Sequence, residues 1–196
     1  MEIISDILYW ISTGLLVPVI VILIIVFIRA LLLIGSFFGQ YLTIRKTSAH
    51  VRKALTDVTA ETLDDVIAKL PKTDNVLVIA YIRKMISLRY NKAEVKRLLA
   101  EFEIDADKDL GLSKMLVKLG PMLGLMGTLI PMGPALAGLA SGDIESMARN
   151  MQVAFATTVT GLVASAIGYV TQQVKQRWYL QDITNLEYLS EVISNS

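Results

Sequence analysis

The chain has no cysteine, and its 196 residues include a single histidine, His50. Without cysteine there is no disulfide framework, no thiol chemistry and no thiolate metal site. His50 stands alone in a charged stretch and reads as a solvated surface residue rather than a ligand. A calcium loop fails as well. Asp105, Asp107 and Asp109 have the opening spacing, but the positions that need Gly and Glu hold Leu110 and Leu116. No carboxylates cluster in an apolar segment, so nothing supports an enzyme, and no cofactor is expected. A net charge of +1 offers no basic field for nucleic acid.

Charge is missing most conspicuously from two long runs. Residues 119–142 contain no Asp, Glu, Lys, Arg or His, and neither do residues 150–172. Each run has about the ~20 residues that a helix needs to cross a bilayer core. With 54% hydrophobic residues overall, the chain reads as an integral membrane protein. The two runs form a transmembrane hairpin turned by residues 141–149.

The runs are unusual for plain anchors. Gly120, Gly124, Gly127, Pro131, Pro134 and Gly138 recur at alternating spacings of four and three, which puts them on one helical stripe. Ala154, Thr158, Gly161, Ser165 and Gly168 do the same in the second run. Small residues along a stripe let membrane helices approach closely, so Gly120, Gly124, Gly127, Gly161, Ser165 and Gly168 are expected to carry helix packing. Thr128 and Thr158 add hydroxyls to these faces. Leu, Ile, Val, Met and Phe occupy the opposite faces.

Residues 1–12 begin acidic, with Glu2 and Asp6, unlike a signal peptide, so the first apolar run is expected to be retained. Tyr9 and Trp10 suit an interfacial aromatic belt. Residues 15–38 are apolar except for Arg29 and Ser36. Arg29 could be a functional charge inside the membrane, but the preceding residues already span the core, and snorkelling to the inner headgroups is favoured.

Residues 45–118 hold fifteen Lys or Arg and eleven Asp or Glu. Ser48 precedes an amphipathic run. Thr62 starts another, with Leu63, Val66, Ile67 and Leu70 on one face, and Pro71 stops it. Thr73 or Asp74 caps a third, and Asn91 a fourth that ends near Glu103. VLVIAYI at 76–82 is β-prone but sits in a helical period. Residues 105–111 read as a linker before a helix that begins near Leu112. Asp143 or Ser141 can cap the last span. After Tyr169 no stop signal appears, so one long helix is expected, with Trp178, Ile183, Leu186, Leu189 and Val192 packing.

The fold class is therefore an all-α membrane protein with three transmembrane helices and a cytoplasmic helical domain. Residues 1–12 form an outer N-terminal segment, 13–40 the first transmembrane helix and 41–113 the cytoplasmic domain. Residues 114–140 form the second span, 141–149 the outer hairpin, 150–174 the third span and 175–196 a cytoplasmic C-terminal helix. Basic residues concentrate after the first span, so the positive-inside rule puts that loop and the C-terminus in the cytoplasm and the N-terminus outside.

GPMLGLMGT at 120–128 resembles the apolar-Pro-x-Leu-Gly-Leu-x-Gly-Thr signature of the MotA/TolQ/ExbB family. FATTVTGL at 155–162 is similar to that family's last-helix pattern, in which a Thr sits three residues before Gly-Leu. ExbB-like and TolQ-like members have a Glu near the start of that helix, where this chain has Val153 beside Gln152. They also lack the Pro131 and Pro134 pair. The resemblance implies a cell-membrane subunit of a motor driven by the proton or sodium gradient. It implies five copies in a ring around two helices of a single-span partner similar to ExbD, TolR or MotB, which carries a membrane Asp. It makes Thr128 and Thr158 pore-facing.

The two runs themselves offer hydroxyls, carbonyls and Gln152, none of which titrates near neutral pH. A proton relay built from this chain alone lacks its carrier, which must be water, lipid-facing structure or a carboxylate from another chain; the resemblance implies the last, a partner's Asp. Thr157 and Thr160 flank Thr158, and such a cluster can replace part of a sodium hydration shell. A Thr doublet here goes with sodium-driven members of the family. Thr157 stands either in that cluster or, ~100° round the helix, against lipid. The proton is the default ion and sodium the alternative. Against all this stands a scaffold that packs through its small-residue stripes and conducts nothing.

Overall fold

The computed structural model describes residues 2–54 and 76–194, except for the side chains of 45–54 and of several residues before Thr13. The expected run started by Thr62, the stop at Pro71, the caps Thr73 and Asp74 and the side chain of His50 lie outside the described residues, while the run those caps were to start is present as the helix Leu77–Ser87. Everything described is helical or turn, with no strand. The helices are α1 (Glu2–Ala54), α2 (Leu77–Ser87), α3 (Lys92–Ser141) and α4 (Ile144–Ser194). Among the described residues α1, α3 and α4 are each long and apolar enough to cross a membrane. The chain is a multi-pass membrane protein.

It divides into two units. One comprises Met1–Gly35 with Leu112–Gln172, the other Ser36–Gly111 with Gln173–Ser196. In the first unit α1 buries Val19, Leu23, Val26, Ala30 and Leu33, spaced four, three, four and three, on one stripe. Leu116, Leu123 and Ala164 complete that core. Arg29 is off the stripe and exposed. Pro18 lies inside the helix.

The turn between α3 and α4 is only Gly142 and Asp143, much shorter than the hairpin expected at 141–149. Gly142 adopts φ 77°, the left-handed conformation that closes a helix without a Cβ penalty. The Asp143 N–H donates to the Gly138 carbonyl at 2.8 Å and the Gly142 N–H to that of Leu139 at 3.2 Å, a Schellman pair. Asp143 then caps α4 through its Oδ1, which accepts the Ser146 N–H at 3.0 Å.

In the second unit α2 packs Val78, Ile79, Ile82, Met85 and Ile86 inward. Their spacing is helical, which is why a β-branched stretch resolves as a helix. They join Val95, Leu98, Phe102, Leu186, Leu189 and Ile193 in one core. Burying each large side chain is worth about 1.5–3 kcal/mol. Asn91 caps α3, its Oδ1 accepting the Glu94 N–H at 3.2 Å. Residues 105–111 are no linker. The helix runs through them without a break.

Candidate functional site

In the first unit the charge-free runs of α3 and α4 lie antiparallel along a seam of small residues. A methyl group placed on Gly120 would lie 2.5 Å from the Gly161 carbonyl oxygen. One on Gly161 would strike the Gly120 carbonyl and come within 3.1 Å of the Gly124 Cα. Further along, one on Gly168 would lie 2.7 Å from the Leu116 Cβ. The two backbones therefore touch where side chains would otherwise keep them apart. Gly124 has more room, its nearest neighbour being the Thr158 Cα at 3.4 Å.

Three prolines interrupt the hydrogen bonding of α3: Pro121, Pro131 and Pro134. Each lacks the N–H that would reach the carbonyl four residues back, which leaves the carbonyls of Val117, Gly127 and Ile130 without a helical donor. The hydroxyl of Ser165 supplies one replacement, donating to the Val117 carbonyl at 3.2 Å. The buried hydroxyl of Ser113 has no partner among the described residues.

On α4 the buried stripe is Ala154, Thr157, Gly161, Ala164, Gly168 and Thr171. It is turned slightly from the stripe read in the sequence: Thr158 and Ser165 are half-buried at its edge. Thr157 does not face lipid. It is 6% exposed, and a methyl group on Gly127 would lie 2.6 Å from its Oγ1. Thr128 and Thr160 are half-buried.

All four threonine hydroxyls donate to their own helix. Thr128 reaches Leu125 at 2.7 Å, Thr158 reaches Ala154 at 3.2 Å, and Thr160 reaches Ala156 at 2.8 Å. Thr157 shares its proton between Val153 at 3.0 Å and Ala154 at 2.9 Å. No hydrogen bond joins Thr128 to the other three. A hydroxyl whose proton is committed presents only lone pairs to anything else. Each threonine is thus an acceptor, suited to a cation or to the proton of an uncharged carboxyl group, and poorly suited to a carboxylate.

The second unit holds a separate polar arrangement. Lys175 is 4% exposed and donates to Asp109 Oδ2 at 2.8 Å, and the Tyr179 hydroxyl donates to the same oxygen at 2.6 Å. The Tyr81 hydroxyl donates to Asp105 at 2.7 Å. Burial and the bond to Asp105 push Tyr81 up to about 12, and burial with the bond to Asp109 raises Tyr179 well above its ordinary value. Asp182, ten residues past the charge-free run of α4, is pushed up to about 7 by burial. The sequence reading weighed Asp105 and Asp109 only for a rejected calcium loop and did not mark Asp182. A signal was present: Asp105 with Asp109, and Lys175 with Tyr179, each fall four residues apart on one helix face.

Among the described residues no group of His, Cys, Asp or Glu is arranged to hold a metal ion. The model of the MotA/TolQ/ExbB proton channel family matches residues 63–187. No curated protein and no solved structure matches the chain.

Proposed function

The chain belongs to the MotA/TolQ/ExbB proton channel family, a channel family rather than an enzyme family, and from this we propose that it is the ion-conducting, stator-type subunit of a membrane motor. Five copies form a ring around the transmembrane helices of a single-span partner that carries a membrane Asp. The N-terminus and the α3–α4 turn face outside, and the residues after the first span and the C-terminus face the cytoplasm. The observation that carries this reading is the run of acceptor-only hydroxyls, Thr128, Thr157, Thr158 and Thr160, in segments with no titratable side chain.

The chemistry follows from that. An acceptor lining favours the partner's Asp when it is protonated and disfavours it when charged. Protonation from outside lets the Asp sit against the ring, and release to the inside drives it off. One charge crossing the membrane potential yields ~2.3 kcal/mol per 100 mV, enough to bias rotation of the ring about the partner helices. The transported ion is the proton, with sodium as the alternative. The carbonyls of Gly127 and Ile130, left without helical donors by Pro131 and Pro134, are further oxygens for sodium.

The test is ion flux by the chain with its partner in proteoliposomes. Thr158→Ala lowers flux at least tenfold, and unchanged flux overturns the assigned role. Flux in sodium-free medium separates the two ions. Native mass gives the copy number, with five copies expected.

A structural scaffold is the second reading. It is favoured by the same hydroxyls in another respect: each is satisfied by its own backbone, and Thr157 fills the space over Gly127. A scaffold assembles without flux, and a stable monomer or dimer brings it to the front.

A further inference from the structure

The second unit holds a half-open cavity of about 580 Å³, within the range of small-molecule sites. All four helices contribute to it, and all the contributing residues belong to this unit. Among the described residues its lining includes three carboxylates, Asp105, Asp109 and Asp182, and the cationic Lys108. Two of these carboxylates are engaged: Asp105 accepts from Tyr81, and Asp109 from Lys175 and Tyr179. Asp182 has no hydrogen bond or ion pair among the described residues.

We propose that this cavity binds a primary ammonium ion on a short aliphatic stem, with Asp182 as its counter-ion. Three features select that class. The carboxylates do not converge as metal ligands do, so the cation must bring its own bulk. Ile44, Val76, Leu77 and Ala80 give the stem an apolar wall. Trp178, stacked on Phe37 on one side, and Tyr179 border the same space, and aromatic rings attract cations. The chemistry is shared by free alkyl diamines and by the ethanolamine headgroup of a phospholipid. The inference rests on this unit alone and is independent of ion conduction.

Burial holds the Asp182 carboxyl near neutrality, so it is uncharged under mildly acidic conditions. The titratable groups that face it are Asp105, Lys108 and Asp109 from α3 and Tyr179 from its own helix; α1 and α2 line the cavity with none among the described residues. Amine binding is therefore stronger at pH 8 than at pH 6.

Only Trp10 and Trp178 are fluorescent tryptophans here, so Trp10→Phe leaves one reporter in the cavity wall. The purified full chain carrying this change is titrated with putrescine in detergent. The same protein is compared in lipid nanodiscs with and without phosphatidylethanolamine. A saturable change in Trp178 emission is expected with putrescine, with phosphatidylethanolamine or with both, and the arm that responds identifies the source. Asp182→Asn weakens the response at least tenfold. Ala80→Phe, which fills the cavity and keeps every charge, abolishes it. 1,4-Butanediol, the uncharged analogue, gives none. No response in either arm, or a response that Asp182→Asn and Ala80→Phe both leave intact, overturns the proposal.

Discussion

The Ser165 hydroxyl donates to the carbonyl oxygen of Val117, 3.2 Å away, the carbonyl that Pro121 deprives of its helical donor. A side chain on one span thus repairs a backbone defect on the other. Ser165→Ala leaves that carbonyl unpaired between packed helices and costs about 1 kcal/mol, the scale of such bonds inside membranes. Pro121→Ala restores an N–H to α3, so the double variant recovers most of that loss. Unfolding in mixed micelles measures both, and equal losses in the single and double variants would contradict the repair.

Glycines of the first unit divide by what a methyl group meets. Gly161→Ala drives a carbon into the Gly120 carbonyl, and backbone cannot move aside as a side chain can. The expected cost is about 1–3 kcal/mol, with the two helices forced apart. Gly133→Ala meets only Tyr9, at 3.9 Å, and is neutral. Thermal melting of the two variants checks the contrast.

Lys175 is almost fully buried, and the side chain of Asp109 is 36% exposed. Lys175→Met removes the ammonium from between packed helices and leaves Asp109 with Tyr179 alone. A broken buried pair costs about 3–5 kcal/mol, and the exposure of Asp109 puts this one at or below the lower end. Adding Asp109→Asn relieves the uncompensated charge, so the double variant is more stable than Lys175→Met. Denaturant unfolding of the three proteins decides it.

Asp182 carries the pH dependence. Its ordinary value of 3.8 rises to about 7 in the folded chain because burial penalises the charged form. The folded state therefore holds a proton that the unfolded state releases, and stability is lost as pH rises through about 7. Asp182→Asn removes the penalty. It raises the melting temperature at pH 8, by about 2–4 °C for each kcal/mol relieved, and has little effect at pH 4. A variant that gains nothing at pH 8 would show that the carboxyl is already well solvated.

Much of this architecture was legible because membranes demand simple patterns. Charge-free runs of span length and stripes of small residues announce crossing helices before any contact is known. What escaped was set by partners distant in sequence. Residues 105–111 read as a linker because Asp and Gly are poor helix formers. They are helical with Asp105 held by Tyr81 and Asp109 by Lys175 and Tyr179, up to 70 positions away. The α4 stripe was legible except for its exact centre: Thr158 and Ser165 do meet Gly124 and Gly120, but the burial is deepest one residue back, at Thr157 and Ala164. Spacings of four and three fit Thr157 as well as Thr158, and only the room beside Gly127 decides between them.

The two-residue turn has a consequence for how the protein enters its membrane. The first apolar run is far more hydrophobic than the other two, whose glycines, prolines and threonines make each a weak passenger for the insertion machinery. With only Gly142 and Asp143 between them, the two reach the membrane together. The seam lets each helix hide the other's glycine-exposed backbone, so the pair is a better passenger than either helix alone. The contact that joins the finished helices thus also favours their entry.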